Sequence, residues 1–360
     1  MKELGETAYK LDARRKLTRM ISSVQFKNFK SLENFSVSLQ QMNILVGTNN
    51  AGKSTILDAF RILSGAYRYA SRLKPQTLEI PGVGVTYGYE IPESSIPIAL
   101  ENVHFNYQDI PTTITYRFEG GNKLHISFHK DMPIYLYFNT TGAKVKSPVA
   151  FRNQFPLKLI IVPTLGPFEY EEVIHDTEYV SRWGKSHRAP RLFRNIWYFD
   201  DSDFEQFKGF VESTWPGMTI SPPEPKSIMD RRLDMFFLEN RLSREIFWAG
   251  YGFQIWLQLL THIVKAREAD ILVVDEPEIY LHPDLQRKII DILREIGPKV
   301  LIATHSVEII NEVEPKEVLV VDKSQKSAQR LSTLLDLQRA VNILGSSQNI
   351  HLTRLARGKI

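Results

Sequence analysis

Runs of mostly apolar residues along the chain predict buried strands. The clearest are MNILV at 42–46, ILVV at 271–274, VLIA at 300–303 and VLVV at 318–321. Such runs are typical of strands that are covered on both faces of a sheet. The run at 271–274 ends in two carboxylates, and in open α/β sheets ligands bind at the carboxyl ends of the strands. The pattern therefore predicts an α/β fold with a ligand site at that edge.

Helical periodicity appears between these runs. After the first run, Ile56, Leu57, Phe60 and Leu63 recur on one face of a predicted helix. Further helices are predicted near 190–214, in one long stretch over 227–268, from Pro283 to Ile296, and over 328–356.

The sequence pattern changes over residues 84–145. Short runs rich in Val, Ile, Thr, Tyr and Phe are separated by Gly, Asn, Asp and Pro, which is typical of antiparallel strands joined by tight connections. Gly120-Gly121-Asn122 is predicted to be a hairpin turn. The segment is therefore interpreted as an antiparallel β-subdomain.

Composition excludes several classes of protein. The chain has 360 residues, of which 43% are hydrophobic, and it has no cysteine, so disulfides, thiolate metal sites and cysteine nucleophiles are excluded. No apolar run approaches the roughly 20 residues of a membrane helix. The first residues lack the apolar core of a secretory signal. A cytoplasmic protein without a membrane partner is expected.

The charge balance is mildly basic, with a net charge of +4 and a pI near 9.0. This balance permits contact with nucleic acid without arguing for it. Arg14, Arg15, Lys16 and Arg19 cluster in the polar and predicted helical N-terminal extension, residues 1–20. The extension is interpreted as a solvated arm, or a stretch ahead of an internal start, or an arm that binds nucleic acid or a partner.

A glycine-bounded loop after the first buried run carries the most specific chemical motif. It reads Gly47-Thr48-Asn49-Asn50-Ala51-Gly52-Lys53-Ser54-Thr55 and fits G-x-x-x-x-G-K-[ST] between a strand and a helix. The glycines let backbone N–H groups point at phosphate oxygens, and the helix adds its positive N-terminal end. Lys53 is predicted to reach the β- and γ-phosphates of ATP, and the Ser54 hydroxyl to bind Mg²⁺.

A carboxylate pair follows the run at 271–274. Asp275 is expected to hold Mg²⁺ through water, and Glu276 to accept a proton from the attacking water as general base. The alternative is a solvated acidic turn at the end of a buried strand. A phosphate-binding loop upstream favours the catalytic interpretation.

Two further segments carry weaker signals. His305 ends the next apolar strand, one strand–helix–strand unit after Asp275, and is predicted to contact the γ-phosphate and position the water. The alternative is a structural histidine. Gly250, Gly252 and Gln254 lie in a glycine-rich turn that opens an apolar helix. This turn is either a second anion site or a flexible joint.

In this order the segments resemble those of the ABC ATPase family: Walker A at 47–55, the signature at 250–254, Walker B at 271–276, the D-loop at 278–283 and the switch histidine at 305. The stretches VQFKNFKSL, DEPEIYLHP and ATHS are typical of its RecF/SMC-like branch. Within that branch the chain resembles the ATPase domains of OLD-family (overcoming lysogenization defect) proteins and related phage-defence ATPases most closely. LFRN at 192–195 is similar to a segment in the branch's variable middle. The branch often has serine at Gly250, so backbone N–H groups must serve there.

The resemblance covers 21–75 and 230–322 well, and 80–225 loosely. It implies an ABC-type P-loop NTPase core with an antiparallel β-subdomain and a helical subdomain inserted between Walker A and signature. The predicted layout is the N-terminal extension (1–20), the first part of the ATPase core (21–75), the β-subdomain (84–145), a mixed and helical variable region (146–229), the second part of the core (230–322) and a C-terminal helical segment (323–360).

By the same resemblance, ATP and Mg²⁺ bind at sites shared by a head-to-tail homodimer or higher homo-oligomer, which acts as a switch for an effector. The effector is expected to be a Toprim nuclease-like domain or a separate protein, because this chain has no carboxylate cluster of that kind. One alternative is a RecF/SMC-like DNA-binding repair ATPase. Another is a nucleotide-gated scaffold that does not hydrolyse ATP, against which the intact Lys53, Asp275, Glu276 and His305 argue.

Overall fold

The chain packs as two units in the computed structural model, which describes residues 20–184, 188–227 and 229–343. Of these described residues, unit 1 comprises those up to 159 and those from 315 onward, and unit 2 comprises those within 160–314. The predicted N-terminal extension, apart from Met20, and the last part of the helical prediction over 328–356 lie outside the described residues.

The strands in chain order are β1 (Ile21–Phe29), β2 (Leu32–Ser38), β3 (Met42–Val46), β4 (Gln76–Ile80), β5 (Gly84–Ile91), β6 (Thr112–Phe118), β7 (Lys123–Phe128), β8 (Ile134–Asn139), β9 (Leu159–Ile161), β10 (Glu172–Val173), β11 (Met218–Ile220), β12 (Glu224–Ser227), β13 (Asp230–Asp234), β14 (Phe236–Glu239), β15 (Leu242–Glu245), β16 (Ile271–Asp275), β17 (Lys299–Ala303), β18 (Val318–Val320) and β19 (Gln329–Arg330). The α-helices of the described residues are α1 (Lys53–Ala70), α2 (Pro148–Gln154), α3 (Thr177–Trp183), α4 (Phe193–Phe199), α5 (Phe204–Thr214), α6 (Tyr251–Lys265), α7 (Pro283–Ile296), α8 (Val307–Asn311) and α9 (Leu334–Ile343).

Unit 1 contains a seven-stranded antiparallel sheet in the order β2-β1-β6-β7-β8-β5-β4. One face is apolar because alternate residues of each strand point to the same side. On this face the hydroxyl of Tyr116 donates to the carbonyl oxygen of Ala59 at 2.6 Å, and its ring lies 6.2 Å from that of Phe60. These contacts pack α1 against the sheet.

The strands predicted within 84–145 are antiparallel, and they continue the sheet that β1 and β2 begin. The predicted hairpin turn is confirmed between β6 and β7. There Gly121 has a φ of 85°, its N–H donates to Phe118, and the N–H of Phe118 donates to Asn122. A left-handed φ of this kind favours glycine, which explains the turn's composition.

A second sheet element of unit 1 precedes the predicted phosphate-binding loop. Strand β3 is buried along its whole length and pairs in parallel with β18, with Val46 opposite Val320. Strand β19 pairs antiparallel with β18. The apolar runs at 42–46 and 318–321 therefore form the buried strands that they predict.

Unit 2 contains the parallel pair β16 and β17, in which Asp275 lies opposite Ala303. Helix α6 is buried over most of its surface, and its polar groups are bonded inside the unit. The indole of Trp256 donates to Thr214 at 2.8 Å, and the hydroxyl of Thr261 accepts from Trp197 at 2.9 Å. Two three-stranded antiparallel sheets, β10-β13-β12 and β11-β14-β15, complete the unit.

The prediction of one helix over 227–268 is wrong in its first half. Strands β12 to β15 occupy 224–245, and helix α6 begins only at Tyr251. Asn240 and Arg241 both have positive φ, 49° and 68°, and they join β14 and β15 as a two-residue hairpin loop. Such a turn matches the twist of paired strands. The prediction over 328–356 is also partly wrong, because β19 precedes α9.

No helix among the described residues is long and apolar enough to cross a membrane.

Candidate active site

The loop predicted to bind phosphate lies between β3 and α1, and glycine shapes its backbone. A β-carbon on Gly47 would lie 2.6 Å from the carbonyl oxygen of Val321, so that position has no room for a side chain. Gly52 has a φ of 110° and directly precedes α1, and Asn50 has a φ of 63°. Glycine adopts this region freely and asparagine more readily than most residues. The loop therefore closes into a tight turn at a helix N-terminus.

Lys53, the first residue of α1, is only 6% exposed. Its ammonium nitrogen donates to the carbonyl oxygen of Gly47 at 2.9 Å and to that of Thr48 at 3.3 Å. A buried cation needs such partners, and the loop's own carbonyls supply them. The structure thus holds a positive charge inside the turn.

The remaining residues of the loop divide by exposure. Thr48, Asn49, Asn50 and Ser54 are exposed, and Ala51 is buried. The hydroxyl of Thr55 lies 3.1 Å from that of Ser31. The Ser54 hydroxyl, predicted to bind Mg²⁺, is therefore accessible to a ligand that enters from solvent.

The predicted acidic pair lies at the end of β16 in unit 2. Asp275 is half-buried, and the side chain of Glu276 is 41% exposed. Glu276 has a φ of 45°, and its N–H donates to the carbonyl oxygen of Ala303 at 2.8 Å. A non-glycine residue in this conformation costs about 1–2 kcal/mol, which other contacts must offset. The chain therefore leaves the sheet at a fixed point with the carboxylate accessible.

His305 follows β17 and lies beside the predicted base. Its Nε2 is 3.8 Å from Oε1 of Glu276, which is longer than a hydrogen bond. Both residues stand at the carboxyl ends of neighbouring parallel strands, as their spacing predicted. The structure thus brings the predicted base and the predicted switch histidine together within unit 2.

Glu278 holds His305 in place beside Glu276. Its Oε1 accepts the backbone N–H of His305 at 2.7 Å, and its Oε2 is buried with no partner among the described residues. Burial raises the pKa of Glu278, and the N–H of His305 opposes that shift. The segment 278–283 was predicted from the resemblance, but this bond was not, because no local pattern joins residues so far apart.

Gln286, on helix α7, joins the segment that contains Leu281 to the segment that contains His305 and Ser306. Its amide donates to the carbonyl oxygen of Leu281 at 2.8 Å and accepts from the hydroxyl of Ser306 at 2.6 Å. Ser306 in turn accepts the N–H of Ile309 at 3.1 Å and caps α8. The segment that carries His305 is therefore fixed on both sides.

The predicted signature turn opens helix α6. A side chain at Gly250 would meet nothing within 4 Å, whereas a β-carbon at Gly252 would lie 3.0 Å from the carbonyl oxygen of Tyr280. The exposed ring of Tyr251 lies 4.7 Å from that of Tyr280. The turn is therefore open at Gly250 and packed closely against residue 280 at Gly252.

Gln254 is 5% exposed, and its side-chain amide makes its hydrogen bonds within unit 2. It donates to the carbonyl oxygens of Phe247 at 2.8 Å and Ala249 at 2.9 Å, and accepts the N–H of Phe168 at 3.0 Å. These bonds make Gln254 a support of the turn. Contact of its side chain with a nucleotide stays a prediction, which requires some of them to break.

The predicted site residues are divided between the two units. Lys53 and Ser54 belong to unit 1, whereas Gly250, Gly252, Asp275, Glu276 and His305 belong to unit 2. That they meet at one nucleotide stays a prediction.

Solved structures share the fold of this chain. The SMC head bound to the C-winged helix domain of ScpA matches 88% of this chain and 99% of its own, with a TM-score of 0.57 and 13% identity. An SMC head with an extended coiled coil, bound to the C-terminal domain of ScpA derived from Pyrococcus furiosus, matches 91% and 99%, with a TM-score of 0.54 and 12% identity. The fold is therefore that of an SMC head.

The family follows from a match to residues 42–311, which spans both the glycine loop and the acidic pair. The chain belongs to the family described as "AAA domain, putative AbiEii toxin, Type IV TA system".

Two relatives agree with this membership. The Old nuclease of Escherichia phage P2 is 24% identical over 88% of this chain and 62% of the nuclease, so the chain spans less than two thirds of that relative. A putative ABC transporter ATP-binding protein of Methanosarcina acetivorans is 24% identical over 53% of this chain and 73% of its own length. The predicted resemblance to OLD-like ATPases of the ABC/SMC class is confirmed.

Proposed function

We propose that this chain hydrolyses ATP with Mg²⁺ at sites shared by two copies paired head to tail, and that its nucleotide state switches an effector. One observation carries the proposal: the buried ammonium of Lys53 lies inside a glycine-shaped turn at the start of a helix. Positive charge, curled backbone and helix N-terminus together suit a polyphosphate.

The turn fits the phosphates of ATP in shape and charge. Phosphate oxygens can replace the carbonyl oxygens of Gly47 and Thr48 as acceptors for Lys53. Bound Mg²⁺ neutralises phosphate charge and orients the reacting phosphoryl group. The residues that would hold it are Ser54, through its exposed hydroxyl, and Asp275, through water.

Glu276 is assigned as the general base and His305 as the group that positions the attacking water. Glu276 is accessible to solvent and stands 3.8 Å from His305. The gap lets both side chains contact one water rather than each other. Glu278 keeps His305 in place through its backbone N–H.

The proposal of two copies rests on the ABC resemblance, in which the Walker A and signature turns of one chain lie too far apart to hold the same triphosphate. One turn lies at 47–53 in unit 1 and the other at 250–252 in unit 2. Head-to-tail pairing sets the signature turn of each copy opposite the Walker A turn of the other. ATP then favours the pair, because it binds the paired state better than the single chain.

The effector is proposed from the kind of relative that the chain resembles. The Old nuclease of phage P2 is named as a nuclease, and this chain matches 62% of it. We assign the chain the role of an ATPase switch for an effector, either a Toprim nuclease-like domain or a separate protein, in prokaryotic defence against phage.

A second candidate is a DNA-binding repair ATPase of RecF or SMC type, in which ATP clamps the dimer on DNA. The likeness of the fold to SMC heads favours it. The two candidates differ in the expected stimulus. A repair ATPase should turn over faster with DNA alone, whereas a defence switch should respond to its effector or trigger.

The first test is steady-state ATP turnover with separate measurement of nucleotide binding. Lys53→Ala should weaken binding, and Glu276→Gln should keep binding but slow turnover, because the base is lost while the Mg²⁺ ligand remains. The exposed residues Lys74 and Glu295 provide matched controls as Lys74→Ala and Glu295→Gln. Turnover of Glu276→Gln at the wild-type rate would refute the assigned base.

The shared sites are tested by mixing two inactive variants. Lys53→Ala spoils the Walker A half, and Gly252→Glu places a carboxylate at the signature turn. A mixed dimer has one site with both defects and one with neither, so the mixture should recover part of the activity. Shared sites are excluded if heterodimers form and the mixture stays inactive.

A further inference from the structure

A buried network of charges lies in unit 2, outside the residues that the proposed reaction uses. Its centre is Arg194 of the LFRN segment, whose side chain is fully buried. The guanidinium lies between two carboxylates: it contacts Glu172 at 3.2 Å, and Glu245 at 2.5 and 3.0 Å. It also donates to the carbonyl oxygen of Glu169 at 3.0 Å.

One arm of the network fixes Arg194 itself. The carboxylate of Glu172, 1% exposed, accepts the backbone N–H groups of Arg194 at 3.0 Å and Asn195 at 2.7 Å. It also accepts the side-chain amide of Asn195 at 2.7 Å. Glu172 therefore holds the start of helix α4 in place. The guanidinium of Arg194 therefore has a defined position.

The other arm reaches the signature turn. Glu245 ends β15, and while its Oε1 binds Arg194, its Oε2 accepts the N–H of Phe247 at 2.8 Å. Gln254 donates to the carbonyl oxygens of Phe247 and Ala249. The backbone of 247–249, directly before Gly250, is thus held at three atoms by two side chains.

We propose that Arg194 is a positioning residue that presets the signature turn through Glu245. The guanidinium is rigid and planar, and can hold two carboxylates at once. It orients Glu245 toward Phe247, and so fixes the path of the chain into Gly250 and the first turn of α6. The catalytic part of this inference rests on the proposed function of that turn, whereas the structural part does not.

The arrangement differs from an ion pair that merely fills the core. Buried ion pairs seldom stabilise a protein more than apolar residues of the same size, so stability alone is a poor reason for this one. Its outer carboxylate, that of Glu245, accepts the backbone N–H of Phe247, in the segment that leads into Gly250. A purely stabilising pair needs no such connection.

The structural part is tested by amide hydrogen exchange of the full chain without nucleotide. Arg194→Lys keeps the charge, but three N–H donors cannot replace the four bonds of the guanidinium. Exchange over 246–253 should therefore rise about tenfold or more, while α1 stays unchanged. Arg267→Lys, at a residue of unit 2 whose side chain is 64% exposed, is the matched control. Glu245→Gln, which leaves Arg194 and Glu172 paired, should raise exchange in the same segment if Arg194→Lys fails to fold. The inference is overturned if exchange over 246–253 matches the control, or rises equally in α1.

The catalytic part is tested by mixing inactive variants. Arg194→Lys damages only the signature half, so it should regain turnover when mixed with Lys53→Ala and stay inactive with Gly252→Glu. A merely structural defect would recover with neither. Recovery with Gly252→Glu would overturn the assignment. The mixture of Lys53→Ala with Gly252→Glu is the positive control. If this mixture regains no turnover, the shared-site proposal fails. The exchange experiment still decides whether Arg194 positions the turn.

Discussion

Replacing Glu278 by alanine should slow hydrolysis without weakening nucleotide binding. The change removes the acceptor of the His305 N–H, which is bound at 2.7 Å. It alters no residue of the glycine loop and keeps Glu276 itself. The effect should therefore appear in kcat and not in the affinity for ATP.

The size of the effect follows from that one bond. A hydrogen bond to a charged group contributes about 1.5–3 kcal/mol. If all of it holds His305 in position, its loss lowers the rate about 10- to 150-fold, because each 1.4 kcal/mol is tenfold. Overall stability should change less, because alanine also removes a buried carboxylate oxygen that has no partner among the described residues.

The assay is a double-mutant cycle of turnover rates. Glu278→Gln keeps an acceptor oxygen and should stay within a few fold of wild type, which makes it the matched control. In a His305→Ala background, Glu278→Ala should cost little more, because both changes remove the same function. The reasoning fails if Glu278→Ala slows the reaction equally in both backgrounds.

The same carboxyl should make stability depend on pH. Burial raises the pKa of Glu278 above its usual 4.5, so the folded chain holds this proton more tightly than the unfolded chain. Its contribution is fully present below about that pH and is lost as the pH rises through the folded-state value. Denaturant unfolding should therefore show Glu278→Gln gaining stability relative to wild type as the pH rises through this window; a constant difference would contradict it.

Three further predictions test other parts of the structure. Gly47→Ala would place a β-carbon 2.6 Å from the carbonyl oxygen of Val321 and should cost about 1–3 kcal/mol in thermal unfolding, whereas Gly209→Ala, with no atom within 4 Å, should not destabilise. Arg241→Gly should stabilise by about 1 kcal/mol in urea unfolding, because it relieves a φ of 68° in a two-residue hairpin loop; no gain would argue against that turn. The purified chain should not cleave DNA, since nuclease chemistry of the Toprim type needs clustered carboxylates; metal-dependent cleavage that survives Asp275→Ala would contradict this.

The parts of the fold that the sequence predicted best carry start and stop signals in the sequence itself. Helix α7 begins and ends as predicted, because Pro283 opens it and Gly297, with a φ of 84°, closes it. The buried strands could be predicted from the sequence for a similar reason. Their runs are almost wholly apolar, and those at 42–46, 271–274 and 300–303 lead into the predicted site residues.

The parts that were missed depend on pairing between strands or on distant contacts. Strands β12 to β15 have only four or five residues each, and β12 is exposed throughout, so no periodicity marks them. Their pairing, together with the turn at residues 240–241, overrides the helical tendency of 227–245. Glu278 and Arg194 gain their roles from partners 27 and 51 residues away, at His305 and Glu245.

The contacts also indicate how the proposed site meets its ligand. Lys53 is already ordered by Gly47 and Thr48, so phosphate binding exchanges one set of acceptors for another and loses little side-chain freedom. The backbone N–H of His305 is likewise bound by Glu278, and this bond does not involve the imidazole ring that is proposed to position the water. Groups fixed before the ligand arrives need no reorganisation during the reaction, and this is the main source of electrostatic catalysis. Turnover should then depend on the fraction of copies that are paired, so turnover per chain should rise with protein concentration until pairing is complete. A rate per chain that is constant on dilution well below the dimer dissociation constant would contradict this argument.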